Sequence, residues 1–321
     1  MQEFSKPVQA DLDLFDARLK DHLRAESPLI TSLARHLLKS RGKRMRPALL
    51  FLSSRASDNF TEFTVDASLA IELIHTATLL HDDVVDESDM RRGQTTVNAK
   101  WTNLISVLMG DFLFARAFRI MVESDSLEMI KAISNATERV SVGELRQIEE
   151  MGNYGLTEEE YLDIISNKTA SLFSVSCEIG PILKERGDAE RRRFAEFGEK
   201  VGTAFQIADD LLDFTGDSQV TGKEPGNDVM NGNVTLPLIY SLKKASPASA
   251  REITDLLQNG GDQRSFRRIL DFINETGGVD YAYQRAYDIA HQGLDAISGL
   301  KSSEYYDMLS GMVEYAVSRA S

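Results

Sequence analysis

Apolar residues recur at intervals of three and four along almost the whole chain, the spacing that lines one face of a helix. Alternating strand-like runs bounded by turn residues are missing. The pattern predicts helices near 8–24, 28–40, 47–56, 64–87, 101–123, 126–152, 157–180, 188–216, 235–245, 248–258, 263–275, 279–297 and 302–319. Pro28, Pro47 and Pro237 fall near helix starts, where a missing N–H costs nothing, and Thr157 with Glu160 reads as an N-terminal capping box. The fold class that follows is all-α. Two polar, glycine-containing interruptions, 88–98 and 217–234, have the character of substrate-covering loops. No Pro-rich or Gly/Ser-rich linker divides the chain and its halves share too little to count as a repeat, which favours one continuous domain over 1–321.

Composition excludes several classes of function. With 321 residues, 42% of them hydrophobic, the chain can bury a large core. A net charge of −14 argues against a general nucleic-acid or anionic-membrane surface, so any substrate phosphate must be met by local cations. Cys177 is the only cysteine, which rules out a disulfide framework and a thiolate metal site and suits a reducing cytosol. Its neighbours Phe173, Val175 and Ile179 point to plain packing. The opening residues lack a basic stretch followed by an apolar one, and no run approaches the ~20 apolar residues of a membrane span. The expectation is a cytoplasmic protein without stable membrane insertion.

Candidate chemistry lies in a motif that occurs twice, Asp82-Asp83-Val-Val-Asp86 and Asp209-Asp210-Leu-Leu-Asp213, each within an apolar helical run. Residues i and i+4 share a helix face, so Asp82 with Asp86, and Asp209 with Asp213, each form a carboxylate pair. Such pairs repel by a few tenths of a kcal/mol unless a cation intervenes. Few carboxylates, completed by water and substrate phosphate, are what Mg²⁺ takes. A single copy could be a solvated helix face; two copies flanked by apolar residues are hard to explain that way.

Cations accompany both motifs. Arg91 and Arg92 follow the first within six residues, and a guanidinium fork matches phosphate oxygens. His75 lies two turns before Asp82 on the same stripe, a registration that lifts it above an ordinary helical histidine. Gly42-Lys43-Arg44-Met45-Arg46-Pro47 is a basic cluster at a helix start, which taken alone would be a solvated turn. Lys168-Thr169 precedes the second motif and Gly222-Lys223 follows it. The stretch from Gly216 to Lys223 is no nucleotide loop: it has one residue too many between its glycines, and Glu224 stands where Ser or Thr would bind Mg²⁺.

Taken in order, these residues resemble the trans-isoprenyl diphosphate synthases, most of all the long-chain octaprenyl and heptaprenyl type. The resemblance runs from Gly42 to Leu238 through the basic cluster, both aspartate motifs, Arg91-Arg92-Gly93, Lys168-Thr169, Phe205-Gln206 and Gly222-Lys223. It implies a helical bundle with a central elongated cavity, and an enzyme that joins isopentenyl diphosphate to an allylic diphosphate, farnesyl or geranyl. It also implies that Lys43, Arg46, His75 and Arg92 hold isopentenyl diphosphate, and that Arg91, Lys168 and Lys223 hold the allylic diphosphate. Gln206 and Thr169 would steady the carbocation. Asp82, Asp86 and Asp209, helped by Asp83, Asp210 and Asp213, would bind three Mg²⁺. One departure stands out: Asn231-Gly232-Asn233 precedes Thr235-Leu236-Pro237, where many members carry Glu-Gly-Lys.

Position 78 lies one turn below Asp82, so residues 77 and 78 face the growing tail. Short-chain members carry aromatics at that level; here Ala77 and Thr78 imply a deeper tunnel past Ile74, Ile71 and Ala70. With an advance of roughly one helical turn per isoprene unit, a product of about C30 to C50 is expected, floored by Phe114, Phe118 or Met121. Quinone side chains would be its use. A terpene cyclase needs no second diphosphate site, which the Gly42 cluster, His75 and Arg92 would form. A noncatalytic subunit of a heteromeric synthase should have decayed aspartate motifs. A C15 to C20 synthase is the other alternative. The resemblance implies a homodimer, for which 101–123 and 126–152 offer apolar helices.

Overall fold

The structure, a computed structural model, describes residues 4–24, 26–39, 42–58, 60–91, 93–184, 187–215, 229, 231–259, 263–300 and 303–318. Its helices are α1 (Gln9–His22), α2 (Pro28–Lys39), α3 (Met45–Ala56), α4 (Glu62–Val85), α5 (Val97–Lys100), α6 (Asn103–Glu123), α7 (Leu127–Glu149), α8 (Glu158–Ile165), α9 (Ser171–Leu183), α10 (Asp188–Thr215), α11 (Leu236–Lys244), α12 (Pro247–Gln258), α13 (Gln263–Thr276), α14 (Gly278–Ala296) and α15 (Glu304–Val317). The sheet found among the described residues is one antiparallel hairpin of β1 (Met90–Arg91) and β2 (Gln94–Thr95). The protein is all-α, as the hydrophobic period predicts. The hairpin and α5 interrupt what reads as loop between 88 and 98, because two-residue strands are too short to show alternation. The helix expected over 157–180 is broken at Ser166–Ala170 by a π-turn.

By compactness the chain divides into two units. The first comprises Met1–Thr137, Leu172–Gly198 and Ile297–Met312; the second comprises Glu138–Ser171, Glu199–Ala296 and Val313–Ser321.

In the first unit α4 is the central element, packed against α6, α3 and α1. It starts at Thr61, whose N–H donates to Thr64 Oγ1 at 3.0 Å in a capping box. Val65, Ala67, Leu69, Ala70, Ile74 and Ala77 have no exposed surface. By length and composition alone α4 is apolar enough to cross a membrane, although its Thr, Ser and His positions interrupt any continuous apolar run. Two-thirds of that apolar window is buried in the fold, as in a core helix. Where α4 meets α6, the His81 ring lies over Gly110, and a Cβ there would come 2.2 Å from His81 Nε2 unless the ring moved.

In the second unit α11 packs on α14, α13 and α8. Gly278 permits the closest approach, since a Cβ there would meet Ser241 Oγ at 2.4 Å and the Pro237 carbonyl at 2.5 Å. Tyr240 stacks on Tyr281 at 4.0 Å, and Glu158 accepts from Tyr281 Oη at 2.6 Å and Arg285 Nε at 2.8 Å. The predicted capping box forms: Glu160 N–H donates to Thr157 Oγ1, and the Thr157 N–H donates back to Glu160 Oε2.

Candidate active site

Both aspartate motifs sit at the C-terminal ends of helices, the first closing α4 and the second closing α10. Neither last turn contains a basic residue. A helix C-terminus carries about half a negative charge, so each nearby carboxylate is disfavoured by roughly 0.3–1 kcal/mol. Both ends therefore favour a cation nearby.

The two motifs share a buried middle carboxylate. The middle residue is buried: Asp83 is 4% exposed and Asp210 8%. Asp82 and Asp213 are half-buried, and Asp86 and Asp209 are exposed. Asp83 accepts from Arg91 Nε at 2.6 Å, and Asp210 accepts from Tyr161 Oη at 2.6 Å and Gln206 Nε2 at 2.7 Å. The i and i+4 carboxylates are thus more exposed than the second of each set. Among the described residues no three His, Cys, Asp or Glu side chains converge into a closed metal cage. The donor set still fits Mg²⁺, which keeps waters and substrate oxygens around one or two carboxylates.

The segment after α4 is tightly folded. The Asp86 N–H donates to the Asp82 carbonyl, Glu87 takes a left-handed φ of 49°, and the Ser88 N–H returns to the Asp83 carbonyl. Asn98 Nδ2 donates to the Asp83 and Ser88 carbonyls, and Thr96 Oγ1 donates to the Ser88 carbonyl. Gly93, at φ 72°, turns the hairpin that carries Arg91. These bonds bring Arg91 back onto the motif eight residues earlier. Arg92 lies outside the described residues, as does Lys223.

The basic cluster separates by role. Arg44 has a left-handed φ of 53°, pairs with Asp16 at 3.1 Å and with buried Glu72 at 2.7 Å, and lies over the Phe15 ring. It locks the start of α3 to α1 and α4. Lys43 is exposed, and Arg46 stacks on Phe173 at 4.6 Å. His75 is half-buried on α4, its carbonyl accepting from Thr78 Oγ1 at 2.8 Å.

In the second unit Lys168 and Thr169 occupy the π-turn, a distortion frequent at functional sites. The turn fits against α7 because residue 143 is glycine: a Cβ there would stand 2.3 Å from the Lys168 backbone nitrogen. Lys168 Nζ pairs with Glu144 at 2.7 Å. Arg139 grips the turn by donating to Asn167 Oδ1, the Ser166 carbonyl and hydroxyl, and Glu199. Thr169 Oγ1 donates to Gln206 Oε1 at 2.6 Å, joining two residues expected to act together. Tyr161 and Arg139 were missed, since a tyrosine and an arginine on helix faces carry no signal until the π-turn is known. Asn233 Oδ1 accepts from Gln147 Nε2 at 3.3 Å, so the departure from the usual lysine is integrated into a polar contact.

Along the proposed tail path Ala77, Ile74 and Ala70 have no exposed surface and Ile71 has 1%. Phe114 is half-buried, stacked on Phe118 at 6.5 Å and near His81 at 5.9 Å. Phe118 is 51% exposed on the outer face of α6, whereas Met121 is buried.

Residues 27–273 match the family model described as Polyprenyl synthetase. The chain is 34% identical over 319 residues to octaprenyl diphosphate synthase of Haemophilus influenzae, covering 99% of this chain and 97% of that one. It is 33% identical over 309 residues to heptaprenyl diphosphate synthase component 2 of Geobacillus stearothermophilus, covering 95% and 94%. It also resembles the crystal structure of a polyprenyl synthase from Caulobacter crescentus CB15 complexed with calcium and isoprenyl diphosphate. There the TM-score is 0.93 and the identity 33%, over 99% of this chain and 97% of that one. The chain belongs to the polyprenyl synthetase family. It is a prenyltransferase, and the resemblance read from its motifs holds.

Proposed function

We propose that the chain acts as one polyprenyl synthase domain. It condenses isopentenyl diphosphate head to tail with an allylic diphosphate, farnesyl or geranyl, giving an all-trans product used for quinone side chains. The observation that carries this reading is the pair of aspartate motifs, each closing a helix with no basic residue in its last turn and with outer carboxylates more exposed than the buried middle one. Asp82, Asp86 and Asp209 would hold three Mg²⁺, with Asp83, Asp210 and Asp213 as supports. When bound, Mg²⁺ supplies Lewis-acid stabilisation of the diphosphate leaving group.

The chain's own groups do the rest. Arg91, already oriented through Nε by Asp83, offers its two Nη groups to the allylic diphosphate, with Lys168 and Lys223. Lys43, Arg46, His75 and Arg92 hold isopentenyl diphosphate. The Gln206 carbonyl and the Thr169 hydroxyl stabilise the carbocation, and buried aliphatic walls keep water from it. No side chain in the motifs is an evident base, so the departed diphosphate takes the proton. Buried Ala77 and half-buried Thr78 leave depth for a tail of about C30 to C50 at roughly one helical turn per isoprene unit. Given the outward position of Phe118, Phe114 and Met121 are the better floor. The apolar outer face of α6 supports a homodimer, and a buried lone thiol suits a cytoplasmic setting.

The test supplies farnesyl diphosphate, labelled isopentenyl diphosphate and Mg²⁺, then sizes the dephosphorylated products by reversed-phase chromatography. A limit near C30 to C50 bears out the proposal, and a C15 or C20 limit removes the long-chain assignment. A second reading, the catalytic component of a heteromeric synthase, is favoured by the relative named as component 2. It predicts no incorporation by the folded chain alone and recovery when a second polypeptide is added.

A further inference from the structure

A hydrogen-bond chain of fixed polarity runs through the second unit. Thr169 Oγ1 donates to Gln206 Oε1 at 2.6 Å, Gln206 Nε2 donates to Asp210 Oδ1 at 2.7 Å, and Tyr161 Oη donates to Asp210 Oδ2 at 2.6 Å. Tyr161 is 3% exposed, and Thr169 and Asp210 are each 8% exposed. A glutamine amide has a donor end and an acceptor end of nearly equal size, so its surroundings must choose between them. An ionised carboxylate only accepts. Asp210 meets the amide NH₂, which sends the carbonyl toward Thr169.

The choice matters chemically. A carbonyl oxygen has two lone pairs, and Thr169 uses one. The other lies on the negative end of the amide dipole, which favours positive charge developing beside it; a flipped amide would present N–H groups and oppose that charge. The orientation depends on Asp210 being held still. Of the groups that hold Asp210, Tyr161 comes from α8, a different helix from Gln206, and so ties α10 to α8 through one carboxylate.

We propose that Tyr161 is a positioning residue for the condensation, fixing the Asp210 carboxylate so that the Gln206 amide keeps its carbonyl on the Thr169 side. This inference rests on the reading of Gln206 as a carbocation-stabilising group. Tyr161→Phe removes one hydroxyl and preserves the ring, so α8 keeps its packing. Because the effect appears only as charge develops, kcat falls while substrate affinity persists.

The test is a double-mutant cycle of Tyr161→Phe and Gln206→Met, assayed with farnesyl diphosphate and labelled isopentenyl diphosphate. For Tyr161→Phe the expected result is kcat lowered about tenfold and KM for both diphosphates unchanged within about twofold. The double variant should be no slower than Gln206→Met alone, because the tyrosine acts through the amide. Wild-type kcat in Tyr161→Phe, or losses that multiply in the double variant, overturns the inference. If Tyr161→Phe lowers the melting temperature, the cycle still decides, since a general loss of folding multiplies with the loss at Gln206. A wild-type chain that incorporates nothing overturns the parent reading and this inference with it.

Discussion

Arg44 and Cys177 show how burial assigns a role to a side chain. Arg44 lies within a basic cluster that otherwise reads as a phosphate site, yet its guanidinium is committed to Asp16 and Glu72. Removing it strands the carboxylate of Glu72, which is 7% exposed. Breaking a buried pair from one side costs about 3–5 kcal/mol, and the partial exposure of Asp16 lowers that toward about 2–3 kcal/mol for Arg44→Ala. Urea denaturation measures the loss, and an unchanged midpoint would contradict the locking role of Arg44. For Cys177, complete burial pushes the thiol up to about 12. The thiolate is the reactive form, so a thiol reagent such as Ellman's should find no group in the native protein near neutral pH and one per chain in guanidinium. Prompt labelling of the folded protein would contradict the core assignment. Ala77 makes the corresponding argument for specificity. A phenylalanine there fills space about one turn from the first aspartate motif, so Ala77→Phe should shorten the product to about C15 or C20 at roughly a turn per isoprene unit. A product ladder identical to wild type would remove the tunnel argument.

At the level of elements, the π-turn at Ser166–Ala170 is where local geometry and chemistry meet. Gly143 lets α7 approach it backbone to backbone. In an exposed helix Gly→Ala is stabilising by about 1 kcal/mol. Here the new methyl would lie 2.3 Å from the Lys168 nitrogen, and backbone cannot step aside as a side-chain tip can. Gly143→Ala should therefore displace Lys168 and Thr169 and lower kcat/KM by more than about tenfold, since misplacement near 1 Å has effects of that order or larger. Steady-state kinetics with the allylic diphosphate varied, alongside a circular-dichroism melt, separates this from simple unfolding; retained activity would mean that the turn adapts. None of this strain is visible in the linear pattern. Apolar spacing through 157–180 continues in helical period because the π-turn adds a residue without breaking the buried stripe of Ile164, Ile165, Leu172 and Phe173. The helices, their proline starts and both carboxylate pairs were legible because each depends on residues within one or two turns. The hairpin of Arg91, the left-handed Arg44 and the hold of Tyr161 on Asp210 were not, because each depends on a partner eight or more positions away.

On the scale of the whole molecule, the face of α6 turned away from α4 remains to be accounted for. Leu104, Leu108, Phe118 and Val122 recur at spacings that fall on one stripe, and they are 68, 57, 51 and 69% exposed. Scattered exposed leucines are ordinary, but a stripe of large apolar residues on a long helix, interrupted here by exposed Asp111, supports the proposed association surface. The chain carries a net charge of −14, which would disfavour indiscriminate self-association, so a specific symmetric contact is the economical account. In a two-fold contact each substitution enters twice, and like charges brought together in a desolvated interface repel strongly. Leu104→Glu with Leu108→Glu should therefore convert a dimer to a monomer at micromolar concentration in sedimentation-velocity runs. Because both side chains are exposed in the single chain, its fold should survive, and far-ultraviolet circular dichroism should match wild type. A wild-type chain that sediments as a monomer would instead leave the stripe to another partner, as the heteromeric reading requires.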